Sequence, residues 1–193
     1  MSLLKLKQQI KSDLFRYYGE NRIKTFFKAL FLIPGFRFSF VLRFCAYFKN
    51  KNIFIRTIFF FSKIILIHYR YKYGFDISEN TKIGNGFCLG HFGGVVINPA
   101  ATIGDNVSVG QGVLIGKNHR GDKAGVPTIE DGVFLAAHSI VIGNIIIGKN
   151  SLIGPGTYVN FNVPDNSIVI GNPGQIVSDK GVFGGYDAKY YYE

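Results

Sequence analysis

The sequence predicts a mainly-β chain: a parallel β-helix of hexapeptide repeats preceded by a small basic, aromatic α-helical segment. Three observations carry this reading. Aliphatic residues return every six positions over most of the stretch from Ile77 to Val159. Charge and aromatic content fall sharply near residue 75, while glycine rises. The length, 193 residues, suits one domain with an attached helical segment.

The two parts differ in their physics. Residues 1–75 hold 15 Lys and Arg against Asp13 and Glu20, a balance of +13, whereas residues 76–193 hold 7 against 10, a balance of −3. Of 30 Phe and Tyr residues, 20 precede residue 76, but only Gly19, Gly35 and Gly74 of 24 glycines do. We therefore expect a helical segment over 1–74, a β-helix domain over 75–177 and a C-terminal tail over 178–193.

In the first part, Leu3, Leu6, Ile10, Leu14 and Tyr17 form one helical stripe, with Lys5, Lys11, Asp13 and Arg16 between them. Gly19 ends that helix, and Pro34 with Gly35 ends the next, through Phe26, Phe27, Leu30 and Phe31. Residues 53–69 are the most apolar, yet Arg56 and Lys63 divide them. A bilayer span needs about 20 mostly apolar residues, and the longest uncharged stretch before Tyr73 is 29–36. Two readings of these helices stand: a cap packed on the second part, or attachment to an anionic membrane surface. No nucleic-acid motif is present, so nucleic acid is not an expected partner. Two cysteines, Cys45 and Cys88, make no disulfide framework, and no metal-ligand spacing occurs. Lys5, Lys7 and Lys11 interrupt any signal-peptide core. The expected compartment is the cytoplasm, including the inner face of its membrane.

The second part repeats as Ile77, Ile83, Leu89, Val95, then Ile97, Ile103, Val109, Ile115, and then Ile129, Leu135, Val141, Ile147, Ile153, Val159. Each hexapeptide forms one flat side of a triangular prism, and its aliphatic residue stacks on the next coil about 4.8 Å away. The repeat is expected to supply its own continuous core without residues 1–73. Function belongs where the register breaks. The first break holds Gly90, His91, Phe92, Gly93 and Gly94; the second is the polar excursion 117–128. Coil counting puts His91 and Asp76 at one corner in adjacent coils, where a carboxylate can orient an imidazole acting as general base. His119 and Arg120 in the excursion are candidates for contacting an acceptor. His138 reads as a corner residue, His68 as a packed helix residue, and Cys88 lacks a cationic neighbourhood that would make it a nucleophile.

FDIS (75–78), GH (90–91), VVINPAATIGDNV (95–107), GVLIG (112–116), GNIIIG (143–148) and VIGNPGQIV (169–177) resemble the hexapeptide-repeat acyltransferases, in the serine acetyltransferase branch. The resemblance implies a left-handed β-helix, a homotrimer, and acetyl-CoA as cosubstrate in the groove between prisms, with no metal. It implies His91 as general base and Asp76 as its partner. It places the pantetheine arm along Gly116, Ala136, Ala137, Gly154 and Pro155. The family's serine-binding aspartate falls at Gly90, and its Arg-His pair at Gly125 and Val126, none of which carries charge. A short, basic, aromatic N-terminus resembles instead the O-acetyltransferases of capsular, exo- and lipopolysaccharide biosynthesis. The sequence thus favours acetyl transfer to a sugar hydroxyl, against serine O-acetylation for cysteine biosynthesis or a non-catalytic β-helix scaffold.

Overall fold

The computed structural model describes residues 2–49 and 56–181; the expected tail lies outside the described residues from 182 onward. Helices α1 (Leu3–Tyr18), α2 (Ile23–Leu32), α3 (Pro34–Phe48) and α4 (Arg56–Tyr73) come first. The Ser2 hydroxyl accepts from the Lys5 amide at the start of α1, and Gly19 closes it in the left-handed conformation (φ 71°). Pro34, expected to end a helix, occupies the first turn of α3, where its missing N–H costs nothing.

Among the described residues fifteen strands follow. The first side of the prism is β1 (Phe75–Ile77), β4 (Val95–Ile97), β7 (Leu114–Gly116), β10 (Ile140–Ile142) and β13 (Tyr158–Val159), all parallel. The second is β2 (Lys82–Ile83), β5 (Thr102–Ile103), β8 (Thr128–Ile129) and β11 (Ile146–Ile147). The third is β3 (Cys88–Leu89), β6 (Ser108–Val109), β9 (Phe134–Leu135), β12 (Leu152–Ile153) and β14 (Ile168–Ile170), to which β15 (Gln175–Ser178) adds antiparallel. Register pairing stacks Ile77, Ile97, Ile115, Val141 and Val159 on one inner face, and Leu89, Val109, Leu135, Ile153 and Val169 on another. Each hexapeptide is thus one side and three make a coil, and the fold is a left-handed-type β-helix behind N-terminal helices. The small residues four places after the aliphatic ones, such as Val107, Val113 and Thr157, are also buried.

The helices are part of this core. Phe38, Leu42, Cys45 and Leu66 belong to one buried cluster with the prism interior, and Phe38 packs on Phe75 at 5.0 Å between ring centroids. The expectation that the repeat supplies a continuous core without residues 1–73 is therefore corrected: α3 and α4 plug its open end. A second, smaller cluster of Leu14, Ala29 and Phe36 ties the helices to one another.

A strand edge buried under helices must still satisfy its backbone groups. Here polar side chains of α1 and α3 do so for the first coil. The Gly86 amide donates to Ser12 Oγ (2.8 Å), the Phe87 amide to Asp13 Oδ1 (2.9 Å) and the Leu89 amide to the Tyr17 hydroxyl (3.1 Å). The Tyr17 hydroxyl in turn donates to the Leu89 carbonyl, Arg16 donates to the Gly86 carbonyl, and Gln9 and Arg43 donate to that of Ile83. Arg43 also grips both carboxylate oxygens of Asp13 at 3.1 Å, and the two side chains are 5% and 1% exposed. Burial raises the Asp13 carboxyl despite the opposing pull of Arg43 and the Phe87 amide. Burial also holds the Tyr17 phenol well above its ordinary value, so it remains a donor. Gly35 has no side chain because an added Cβ would sit 2.2 Å from the Leu89 carbonyl oxygen.

Helix α4 meets the first coil through Lys63, whose ammonium lies 2.6 Å from both Glu79 oxygens. Its outward face carries Ile58, Phe60, Phe61, Ile64, Ile65, Ile67 and Tyr71, all exposed. Among the described residues no single helix is long and apolar enough to cross a membrane; α2 and α3 together are, but they bend by 103°.

Asp13→Ala leaves Arg43 without its carboxylate and the Phe87 amide without an acceptor. Chemical denaturation should show a loss of about 3–5 kcal/mol, the cost of breaking a buried pair. A loss under about 1 kcal/mol, the scale of a surface pair, would mean the edge is closed by other means.

Candidate active site

The corner between the third and first sides is enlarged in the first coil only. Leu89 and Ile97 are eight residues apart, whereas their register partners Val109 and Ile115 are six apart. The two extra residues make a bulge pinned on both flanks. The Gly90 amide donates to the Val109 carbonyl (3.1 Å), and the Gly93 amide to the Tyr73 carbonyl (2.9 Å). Between these pins His91 and Phe92 are exposed. An added Cβ at Gly90 would meet nothing nearer than the Val109 carbonyl oxygen at 4.0 Å, so no crowding requires glycine there.

Above His91 the same corner is lined by small residues. Register stacks Gly90, Gly110, Ala136 and Gly154 in a column, each amide donating to the carbonyl of the coil above at 2.8–3.1 Å. Ala137 and Pro155 follow Ala136 and Gly154 around the turn, so four of the five residues expected to line the pantetheine arm share an edge with His91. The fifth, Gly116, ends β7 at the far end of the first side. At this corner an added Cβ at Gly93 or Gly156 would meet nothing within 4 Å, whereas one at Gly110 or Gly154 would meet atoms at 2.8 Å, so those two are glycine for close packing of the coils. His138 occupies this corner in a left-handed turn (φ 60°), with its ring over Gly112.

Asp76 lies at the centre of β1, beside Val96, and its side chain points outward with 59% exposure. Its carboxylate is paired with Arg70, not with His91. Among the described residues His91 has no hydrogen-bond partner, so one chain does not make the expected Asp76–His91 contact. The reason is local: Arg70 stands in the last turn of α4, and the chain passes through Gly74 (φ 68°) straight into β1. That turn folds the guanidinium back over the carboxylate. Gly74 also permits the tight approach, since a Cβ there would be 2.9 Å from the Gly94 nitrogen.

The excursion 117–128 leaves from the end of β7, opposite the His91 corner. It closes as a small antiparallel loop by reciprocal 2.9 Å bonds between Asn118 and Gly125, and Lys123 anchors it to the Asn160 carbonyl at 2.8 Å. His119 and Arg120 are exposed on it. Within one chain they do not converge with His91. Cys88 faces Tyr17 and Arg16, and burial raises its thiol despite Arg16 nearby, which keeps it un-ionised. His68, expected to be packed, is exposed beside Tyr69, with ring centroids 5.6 Å apart.

Two clefts, of about 440 and 390 Å³, flank Asp76 on the outer face of the first side. Among the described residues lining them, Arg70 and Asp76 are the only charged ones. Sequence reasoning missed Arg70. The signal was present as a basic residue in the last turn of a helix, six positions before Asp76.

The profile of the family described as bacterial transferase hexapeptide (six repeats) matches residues 127–160. A serine acetyltransferase of Bacillus pumilus is 39% identical over 126 residues, covering 65% of this chain and 58% of the relative. One of Staphylococcus aureus is 42% identical over 113 residues, covering 58% and 53%. The chain thus spans somewhat more than half the length of these curated relatives. A Brucella abortus serine acetyltransferase solved with coenzyme A superposes with a TM-score of 0.71 at 27% identity, over 92% of this chain and 68% of that one. A Neisseria gonorrhoeae serine acetyltransferase in complex with serine gives 0.74 at 27% identity, over 92% and 71%. The chain carries hexapeptide repeats and is similar over about two thirds of its length to the serine acetyltransferases. These relatives overturn the expectation of a carbohydrate acceptor and of a place in polysaccharide biosynthesis. That expectation rested on uncharged residues at Gly90, Gly125 and Val126 and on the short, basic, aromatic N-terminus. The Arg70–Asp76 pair places charge between the two clefts.

Proposed function

We propose that the chain is an acetyl-CoA-dependent serine O-acetyltransferase, with His91 as general base. The observation that carries the proposal is the exposed, pinned His91 at the foot of a small-residue edge, in a chain similar to serine acetyltransferases. His91 takes the hydroxyl proton as the serine oxygen attacks the thioester carbon. A C–O bond forms and the C–S bond breaks, and the imidazolium returns the proton to the departing thiolate. Asp76 has two oxygens; one serves Arg70, and the other is available to orient His91. Acetyl-CoA supplies the thioester, and a main-chain N–H in the groove stabilises the oxyanion. His119 and Arg120 reach the acceptor only from a neighbouring copy, which fits a homotrimer with sites between prisms.

His91→Ala should lower kcat by about 10²- to 10⁴-fold, the usual worth of a general base, while acetyl-CoA affinity is retained. Asp76→Asn should cost less. Cys88→Ser should remain active, because a protonated thiol is a poor nucleophile. Retained turnover in His91→Ala, or an isolable acetyl-Cys88, would contradict the mechanism.

Peripheral contact with an anionic membrane surface is proposed for the helical segment. Its support is the balance of +13 over residues 1–75, together with the outward apolar face of α4 from which Lys63 is turned inward to Glu79. Vesicles containing anionic lipid should co-sediment the protein at low salt and release much of it as salt rises. Equal recovery with neutral vesicles would remove the electrostatic part of this proposal.

A further inference from the structure

A free amino acid is a zwitterion, and a site that selects one must present an anion and a cation a few ångströms apart. We infer that Arg70 binds the acceptor's carboxylate, making the Arg70–Asp76 pair the charge receptor of the site. This inference rests on the serine reading above.

Geometry argues for Arg70 over any other cation. It borders both clefts beside Asp76, and no other cation among the described residues lines either one. Arg120 leaves from the opposite end of the first side and approaches an acceptor only from a neighbouring copy, so within one chain Arg70 is the cation beside Asp76. Gly90, Gly125 and Val126 offer no charge.

The pair is a poor candidate for a purely structural role. Its side chains are 31% and 59% exposed, and exposed pairs contribute only about 0–1 kcal/mol. The contrast is Arg43 and Asp13, buried and bonded on every side to hold the fold. Arg70 also has chemical suitability: a guanidinium offers a planar fork of donors, so it can hold one oxygen of Asp76 and accept a second carboxylate. Its place in the last turn of α4 is favoured by the helix dipole, and Gly74 fixes the direction of that turn. When the acceptor's carboxylate takes part of the guanidinium, the hold on Asp76 weakens, and its carboxylate is released toward His91 and the ammonium group. Arg70 is thus a specificity residue that contacts the acceptor and takes no proton.

The test compares L-serine with L-serinamide, which keeps the hydroxyl and the amine but lacks the carboxylate. Wild type should prefer serine by at least about tenfold in kcat/KM, the worth of one charge-assisted contact. Arg70→Gln should abolish that preference through a rise in serine KM, whereas the KM of serinamide, which has no carboxylate for Arg70 to hold, should not rise. Arg70→Lys, which keeps a charge without the fork, should retain part of the preference. Acetyl-CoA KM in each variant reports whether the fold is intact, and Arg70→Lys carries the test if Arg70→Gln is unstable. Wild type failing to acetylate serine would overturn the serine reading and this inference with it. Serine acetylated with its preference intact in Arg70→Gln, or lost in Arg120→Ala instead, would overturn the inference alone.

Discussion

A parallel coil stack has two ends, and each exposes a row of peptide groups that no further coil will satisfy. In this protein the N-terminal end is closed by side chains. Ser12, Asp13, Arg16, Tyr17 and Arg43 occupy the places where the donors and acceptors of a preceding coil would stand. Most other features follow from that closure. It requires α1 and α3 to lie flat beneath the first coil, and it forces a buried carboxylate to be neutralised by Arg43 at once. It also fixes which residues α3 inserts into the prism, with Phe38 and Leu42 entering the same cluster as Ile77 and Leu89.

Closure in turn positions the candidate site. With α3 seated, α4 packs across it and delivers Tyr73 into the core. The chain then enters β1 through Gly74, which sets Arg70 over Asp76 and lets the Tyr73 carbonyl pin the Gly93 amide. The bulge carrying His91 is therefore tied to the helical segment through its far flank and to the next coil through its near one. A change in how α1 and α3 grip the edge would be felt at both charged residues of the first side.

Much of this was legible in the sequence, for physical reasons that can be named. A six-residue aliphatic period has one geometric meaning, so the three sides and their inner faces could be read directly from Ile77 onward. His91 was recognisable because the period breaks around it. Val163 and Val169 were missed, since a single four-residue step after Val159 shifts the register and hides their place in the stack. The role of the polar residues of α1 was not legible, for a deeper reason. Asp13 and Arg16 fall between apolar positions and look solvent-facing by pattern, yet the surface they meet is a strand edge, which demands polar partners. Asp13 being one of only two acids before residue 76 was the available hint. The pairing of Asp76 with Arg70 was likewise invisible, because periodicity reports register and not the direction of a turn through glycine.

The central claim is that helix side chains complete the backbone bonding of the first coil. Amide hydrogen exchange on the full chain tests it most directly. The Gly86, Phe87 and Leu89 amides point out of the stack, whereas their neighbours Cys88 and Gly90 bond to the Val107 and Val109 carbonyls above. Closure predicts that all five exchange slowly and with similar protection, as one cooperative unit. Slow exchange at Cys88 and Gly90 with rapid exchange at Gly86, Phe87 and Leu89 would mean the edge is open, and would contradict the account.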